Sequence, residues 1–177
     1  VTHCLSLVAD LFVNAGDTVR KGQVIAEARG FVSVPAHAPT SGTIVAIEDR
    51  QIAHPSGHLA PCIVIASDGL DQWIDHQGCK DYASLEKGEL LEFIRKAGIA
   101  GMGGAGFPTA VKLAVRDDVK IDTLIINGTE CEPYITADDA LMRERAALIV
   151  QGTEILRHLV APAEVLVGIE DNKPEAL

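Results

Sequence analysis

A chain of 177 residues, 47% hydrophobic and 23% charged, has apolar content for a packed core in one medium domain or two small ones. Its formal charge of −10 repels phosphate backbones and anionic lipid headgroups, which argues against nucleic acid as a partner and routes any membrane association through another protein. No apolar run reaches the roughly 18 to 20 residues that cross a bilayer, and no basic-then-apolar segment opens the chain, so neither a span nor a signal peptide is expected.

The chain opens on Val1 and stops at Leu177 soon after a core-type strand, so a fragment of a longer protein is expected. Cys4, Cys62, Cys79 and Cys131 are scattered with no C-x-x-C, so reduced thiols are expected and neither zinc nor an iron–sulfur cluster has its usual ligand spacing.

Residues 1–67 are rich in β-branched alternations broken by glycine and proline, which predicts an all-β domain. Gly16 to Gln23 turns into a strand over Val24–Ala28, and Ala38 to Gly42 turns into a strand over Thr43–Ile47. GDTVRKGQ followed by VPAHAPTSGTIVAI resembles the barrel-sandwich fold of biotinyl and lipoyl carrier domains. Those carriers need a lysine at a hairpin tip, whereas the tip here reads Glu27-Ala28-Arg29-Gly30-Phe31 and no lysine lies between Lys21 and Lys80. The fold is therefore expected without the carrier function. His54 and His58 have a metal-pair spacing, but Pro55 and Gly57 place them in a loop and no metal site is expected. Residues 68–84 read as a linker.

From Ser84 the period becomes helical. Ser84 is a candidate cap for a helix with Leu90, Phe93, Ile94 and Ala97 on one face, stopped by Gly98. Pro108 fits the first turn of a second helix through Leu113, and Thr123–Ile126 reads as a buried parallel strand ended by Asn127-Gly128. Thr136, with Asp139 three residues on, suggests the capped start of a long helix to about Leu159, and Glu164–Ile169 reads as a second buried strand. Residues 85–177 thus predict an α/β sandwich with a parallel sheet and flanking helices.

Two segments carry chemistry. Gly101, Gly103 and Gly106 satisfy G-x-G-x-x-G, yet a helix precedes them where the dinucleotide fingerprint needs a strand. The conjunction with Pro108 and Lys112 is more informative: exposed N–H groups attract an anion, glycines let it approach, and the lysine supplies a full charge. Phosphate is the expected ligand. The second segment, Asn127 to Tyr134, follows the first strand, where a parallel sheet carries its ligand-facing loops. Asn127 can donate and accept as a flavin ring edge requires, and Glu130 and Glu132 can bond ribityl or ribose hydroxyls, the alternative being a solvated loop.

The runs AGIAGMGGAGFPTAVKL, DTLIINGTECEPYITADDALM and EVLVGIEDNKPEA resemble the C subunit of the bacterial Rnf ion-translocating electron-transport complex, along nearly the whole chain. GxGGAGFPT-x-x-K and N-x-x-E-x-E-P are more distantly similar to the flavin subunit of respiratory complex I. The resemblance implies an N-terminal part of an FMN- and NADH-binding domain. It assigns FMN phosphate to Gly101, Gly103, Gly104, Gly106 and Lys112, the nicotinamide neighbourhood to Phe107, and flavin and NADH contacts to Asn127, Glu130 and Glu132. Thr129, Cys131 and Tyr134 depart from the complex I pattern, which has Asp, Gly and Gly there.

The resemblance further implies NADH oxidation through FMN, two 4Fe-4S clusters whose ligands lie outside this sequence, partner subunits of the Rnf complex, and a peripheral place on the cytoplasmic face of the inner membrane. The missing remainder of the flavin domain predicts weak or no FMN binding by this stretch alone. No residue is expected to act as an acid or base. The competing readings are another flavin reductase on the same module, a complex I flavin subunit or a cobalamin reductase relative, and a non-catalytic docking module. A barrel-like half ahead of the glycine loop suits the Rnf subunit better than either reductase.

Overall fold

The computed structural model describes residues 2–4, 10–52, 57–79, 81–101, 106–116, 118–130 and 132–177. The chain forms two units: Val1–Lys80 with Leu91–Lys112, and Asp81–Leu90 with Leu113–Leu177.

Among the described residues the first unit begins with seven strands, β1 (Thr2–Cys4), β2 (Asp10–Leu11), β3 (Thr18–Val19), β4 (Val24–Glu27), β5 (Ala36–His37), β6 (Gly42–Gln51) and β7 (Leu59–Ser67). They build two antiparallel sheets, ordered β1-β7-β6-β3 and β2-β4-β5. The β6–β7 pair is the spine, in register from Gly42 opposite Ser67 to Gln51 opposite Leu59, with an irregularity between Ile44 and Ala46. One core lies beneath these strands, made of Val13, Val19, Ile25, Ala26, Ala38, Ile44, Ile63 and Ile65. β4 falls within the Val24–Ala28 expectation, while the strand expected over Thr43–Ile47 runs far longer.

Residues read as a linker do structural duty. Lys21 N–H donates to Gln72 O at 2.8 Å and Ile74 N–H to Lys21 O at 3.0 Å, which seats Trp73 over Gly22. Ser41 is buried and joins in, its hydroxyl donating to Asp68 Oδ1 at 2.7 Å and accepting from Gln72 N–H at 2.9 Å.

Helix α1 spans Lys87–Lys96. Its start differs from the expected Ser84 cap. Ser84 lies in a 3-10 turn, and Glu89 reaches back to accept from Glu86 N–H at 3.1 Å, the carboxylate half of a capping box. Leu90 and Ile94 form its buried stripe, with Phe93 exposed. Its end is as expected: Gly98, at φ +70°, stops the helix while Ile99 N–H reaches Ile94 O and Gly98 N–H reaches Arg95 O. Helix α2 (Thr109–Leu113) follows Pro108 directly.

In the second unit, β8 (Thr123–Gly128) and β9 (Glu164–Ile169) pair in parallel in unbroken register, joined by α3 (Ala137–Val160). Gly128 matters to this packing: a Cβ there would lie 2.9 Å from Met142 Sδ of α3. The expected burial of both strands is not met, since Ile125, Leu166 and Val167 are about half exposed or more. The parallel sheet has only two strands among the described residues and one helix of its own unit, α3, packed against β8, whereas purely parallel sheets ordinarily carry helices on both faces.

Candidate functional site

The glycine loop closes on itself at its base. Gly101 N–H donates to Phe107 O at 2.8 Å, Thr109 N–H donates to Ile99 O at 3.0 Å, and Ala100 bridges Pro108 in antiparallel fashion. The described ends of the loop are thereby held by a short ladder, with Gly101 and Phe107 at its mouth. Gly103 and Gly104 lie outside the described residues. Gly106 takes φ +60°, a conformation that favours glycine, with open space where a Cβ would sit. At Gly101 a Cβ would make only an ordinary 3.7 Å contact with Phe107 O, so internal packing does not demand glycine there. A bare backbone at a loop mouth fits close approach by a ligand instead.

Lys112 is exposed on α2 and has no carboxylate partner among the described residues. With five residues α2 has little macrodipole to offer, so the ammonium group carries the anion-attracting charge of this segment. Phe107 is 44% exposed, which leaves its ring free to meet a planar ligand. These residues fit a phosphate-bearing flavin: bare backbone, a free cation and an available aromatic ring.

The second loop leaves β8 at the C-terminal end of the parallel pair. Asn127 Oδ1 accepts from Thr129 N–H at 3.0 Å and from the Thr129 hydroxyl, which leaves the Asn127 amide NH2 as a donor with no acceptor among the described residues. Glu132 is exposed and has no cationic partner among the described residues. A cavity of about 500 Å3 opens beside Asn127, between β8, β9 and α3, lined by Ile126, Met142, Ala146, Val167 and Ile169 among others.

Glu130, expected to contact flavin or NADH, is turned inward. It is 8% exposed, and its carboxylate accepts from Asp138 N–H at 2.9 Å, Asp139 N–H at 3.4 Å and Lys173 Nζ at 2.9 Å. Those amides are the second and third of α3, the ones a capping side chain serves. Thr136 holds the cap position expected of it but makes no side-chain cap bond, and Asp139 pairs with Arg143 at 3.0 Å. The cap is therefore delivered by Glu130 from six residues upstream. These bonds hold the Glu130 carboxyl below the usual carboxylate range, led by Asp138 N–H, with desolvation opposing and Lys173 adding to the effect.

Lys173 was not singled out by sequence reasoning. A lone cation among Glu170, Asp171 and Glu175, just past a parallel strand, was the available signal. Tyr134 is fully exposed at φ +67°, a backbone state that favours glycine. Tyr134→Gly is expected to leave the fold intact and change stability by no more than about 1 kcal/mol, because relief of strain offsets added chain entropy. Thermal unfolding checks this. His54 of the histidine pair and Cys131 lie outside the described residues. Among the described residues no cluster of three potential metal ligands occurs, and no helix is long and apolar enough to cross a membrane.

Comparison with known proteins covers both halves. Residues 4–70 match the RnfC barrel sandwich hybrid domain, and residues 94–177 match the Nuo51 FMN-binding domain. The C subunit of the ion-translocating oxidoreductase complex of Pseudomonas aeruginosa is 58% identical over 165 residues, 93% of this chain and 21% of the relative. The proteins of that name from Serratia proteamaculans and Salmonella gallinarum are 54% and 52% identical, each over 95% of this chain and over 24% and 25% of the relative. The chain spans about a quarter of the length of the curated relatives it matches. With a barrel-sandwich match in front, an FMN-binding match behind and more than half of aligned positions identical, the chain belongs to the family of C subunits of ion-translocating oxidoreductase complexes.

Proposed function

We propose that this chain holds FMN within an NADH-oxidising C subunit, which carries two 4Fe-4S clusters elsewhere and docks on the other Rnf subunits at the cytoplasmic face of the bacterial inner membrane. FMN, when bound, supplies the hydride acceptance and single-electron release that link a nicotinamide to iron–sulfur carriers. The protein's part is position and electrostatics. Gly101, Gly103, Gly104 and Gly106 cradle the phosphate, Lys112 neutralises it, and Phe107 borders the nicotinamide. The Asn127 amide donates to a flavin ring edge and Glu132 accepts from ribose hydroxyls. Glu130 acts on the same loop as a positioning residue, holding it against α3.

The observation that carries this reading is Lys112: an exposed ammonium with no carboxylate partner among the described residues, one turn beyond a base-closed glycine loop and inside the segment matched by an FMN-binding domain. FMN is titrated into the full-length protein that contains these 177 residues, as wild type and as Lys112→Ala. One charge-assisted bond to phosphate is worth about 1.5 to 3 kcal/mol, so the variant is expected to bind FMN roughly ten- to a hundredfold more weakly and to lose NADH oxidation in proportion. Equal flavin retention and equal NADH oxidation in the two proteins would sink the assignment.

A further inference from the structure

We infer that the barrel half of this chain acts as the clamp of the flavin loop, and that His37, at the end of β5, is the positioning residue through which it does so. The inference rests on the FMN reading above and gives a role to the half that has the carrier fold without the carrier lysine.

Residues 91–112 pack with the barrel as one unit, so the loop and the strands share a common frame. The chain leading into the loop is tied to the β4–β5 hairpin at three points. Arg95, in the last turn of α1, donates through its guanidinium to Phe31 O and stands 5.8 Å over the Phe31 ring. The His37 imidazole lies within hydrogen-bonding reach of the main chain of Lys96 and of Pro35. Gly98 lies directly against that ring: a Cβ there would stand 2.8 Å from His37 Nδ1, 2.9 Å from His37 Cε1 and 3.0 Å from Pro35 O. Gly98 thus meets two demands at once, a positive φ that ends α1 and a bare surface on which the imidazole rests.

Gly98 leads directly into the loop base. Ile99 O accepts from Thr109 N–H, and Gly101 N–H donates to Phe107 O. No more than three residues separate the His37 contact from either bond. A phosphate cradle binds well only when its backbone donors are already aimed, since aligning them at the moment of binding costs entropy. In a carrier domain the β4–β5 tip would be free to present its lysine. Here Arg95 and His37 fix it to α1, and the entry of the loop is fixed in return.

A phosphate-positioning role separates from general stability by comparing two flavins. FMN and riboflavin are titrated into the full-length protein that contains these residues, as wild type, His37→Ala, His37→Gln and Arg95→Ala. Amide hydrogen exchange over residues 99–109 is followed without flavin. His37→Ala is expected to weaken FMN about tenfold and riboflavin less than about twofold, and to speed exchange at Gly101 and Thr109 about tenfold, the scale of one lost hydrogen bond. His37→Gln, which keeps a donor, is expected to recover most of both. Arg95→Ala removes the second tie without touching the barrel core and is expected to loosen the same two amides, which keeps the test decisive if His37→Ala misfolds.

Equal losses for FMN and riboflavin, or unchanged exchange at Gly101 and Thr109 in all three variants, overturn the clamp. If Lys112→Ala weakens FMN while the His37 and Arg95 variants bind as wild type, the clamp alone fails. If Lys112→Ala is without effect, the flavin reading fails and the clamp with it.

Discussion

Gly42→Ala is expected to abolish the folded barrel. Gly42 opens β6 and sits between two strands, paired with Ser67 of β7 and Val19 of β3. A Cβ at this position would stand 2.1 Å from Ala66 O and 2.9 Å from both Ala66 C and Ser67 Cα. All three are backbone atoms of an interior strand, so no rotamer change relieves the collision and the pairing itself must part. Overpacking a core ordinarily costs about 1 to 3 kcal/mol through side-chain shifts, and a backbone clash exceeds that range, against a total domain stability of about 5 to 15 kcal/mol. Gly30→Ala is the matched control, since Gly30 has φ +79° but nothing within 4 Å of the added carbon. It is expected to lose only about 1 kcal/mol. Thermal unfolding and far-ultraviolet dichroism of both variants decide the matter. A Gly42→Ala protein melting within a degree or two of the Gly30→Ala protein would refute the argument.

How much of this was readable in the sequence depended on whether the cause was local. Gly98 ends α1 and Pro108 precedes α2 because their backbone preferences act at their own positions, and both are where their chemistry places them. The parallel β8–α3–β9 unit was legible for the same reason, from two apolar runs flanking a helical period. The start of α1 was not, because Ser84 and Glu86 both offer plausible starts and only Glu89, three residues past Glu86, makes the capping bond. Ser41 illustrates the converse. In sequence it is one residue of a turn, but in the fold it organises Asp68 and Gln72 from 27 and 31 positions away.

The candidate site divides along the same line. Lys112 was identifiable as the charge beside the glycine loop because its place one turn into the helix after Pro108 is a local feature, and it is exposed with no carboxylate partner among the described residues. The loop's attachment to the barrel was invisible, because the imidazole of His37 and the bare face of Gly98 are 61 positions apart and neither signals the other. Glu130 and Glu132 look alike in N-x-x-E-x-E-P. Only packing distinguishes them, turning one under α3 and leaving the other in solvent.

That distinction yields the second large effect, expected on acidification. The Glu130 carboxyl sits below the usual carboxylate range in the folded chain, chiefly through Asp138 N–H, with Lys173 and Asp139 N–H assisting against desolvation. The unfolded chain therefore binds more protons as pH falls through the carboxylate range. Stability from this group is complete above the unfolded value of about 4.3 and is lost as pH drops through the folded value. Lys173 is shifted the opposite way, upward, first through its bond to Glu130. Its contribution is complete below the unfolded value of about 10.4 and is lost as pH rises through the folded one. Between these limits the pair gives a plateau.

Glu130→Ala removes the cap from two amides of α3 and leaves Lys173, whose side chain is only 16% exposed, without its nearest carboxylate. At neutral pH the thermal midpoint of the second unit is expected to fall by several degrees, and the gap from wild type is expected to narrow as pH falls through the folded value of Glu130 and the wild-type carboxylate is protonated too. A gap of constant size from neutral pH down to the onset of acid unfolding would show that the charge is not the cause. Lys173→Met separates positioning from ligation. If Glu130 acts through the loop, Lys173→Met and Glu130→Gln both disturb NADH use by the full-length protein, and their combination does no more than the worse single change. If Glu130 touched the nicotinamide directly, Glu130→Gln alone would raise KM and Lys173→Met would leave it near wild type. Because the carboxylate already accepts from two amides and an ammonium, the first outcome is the expected one.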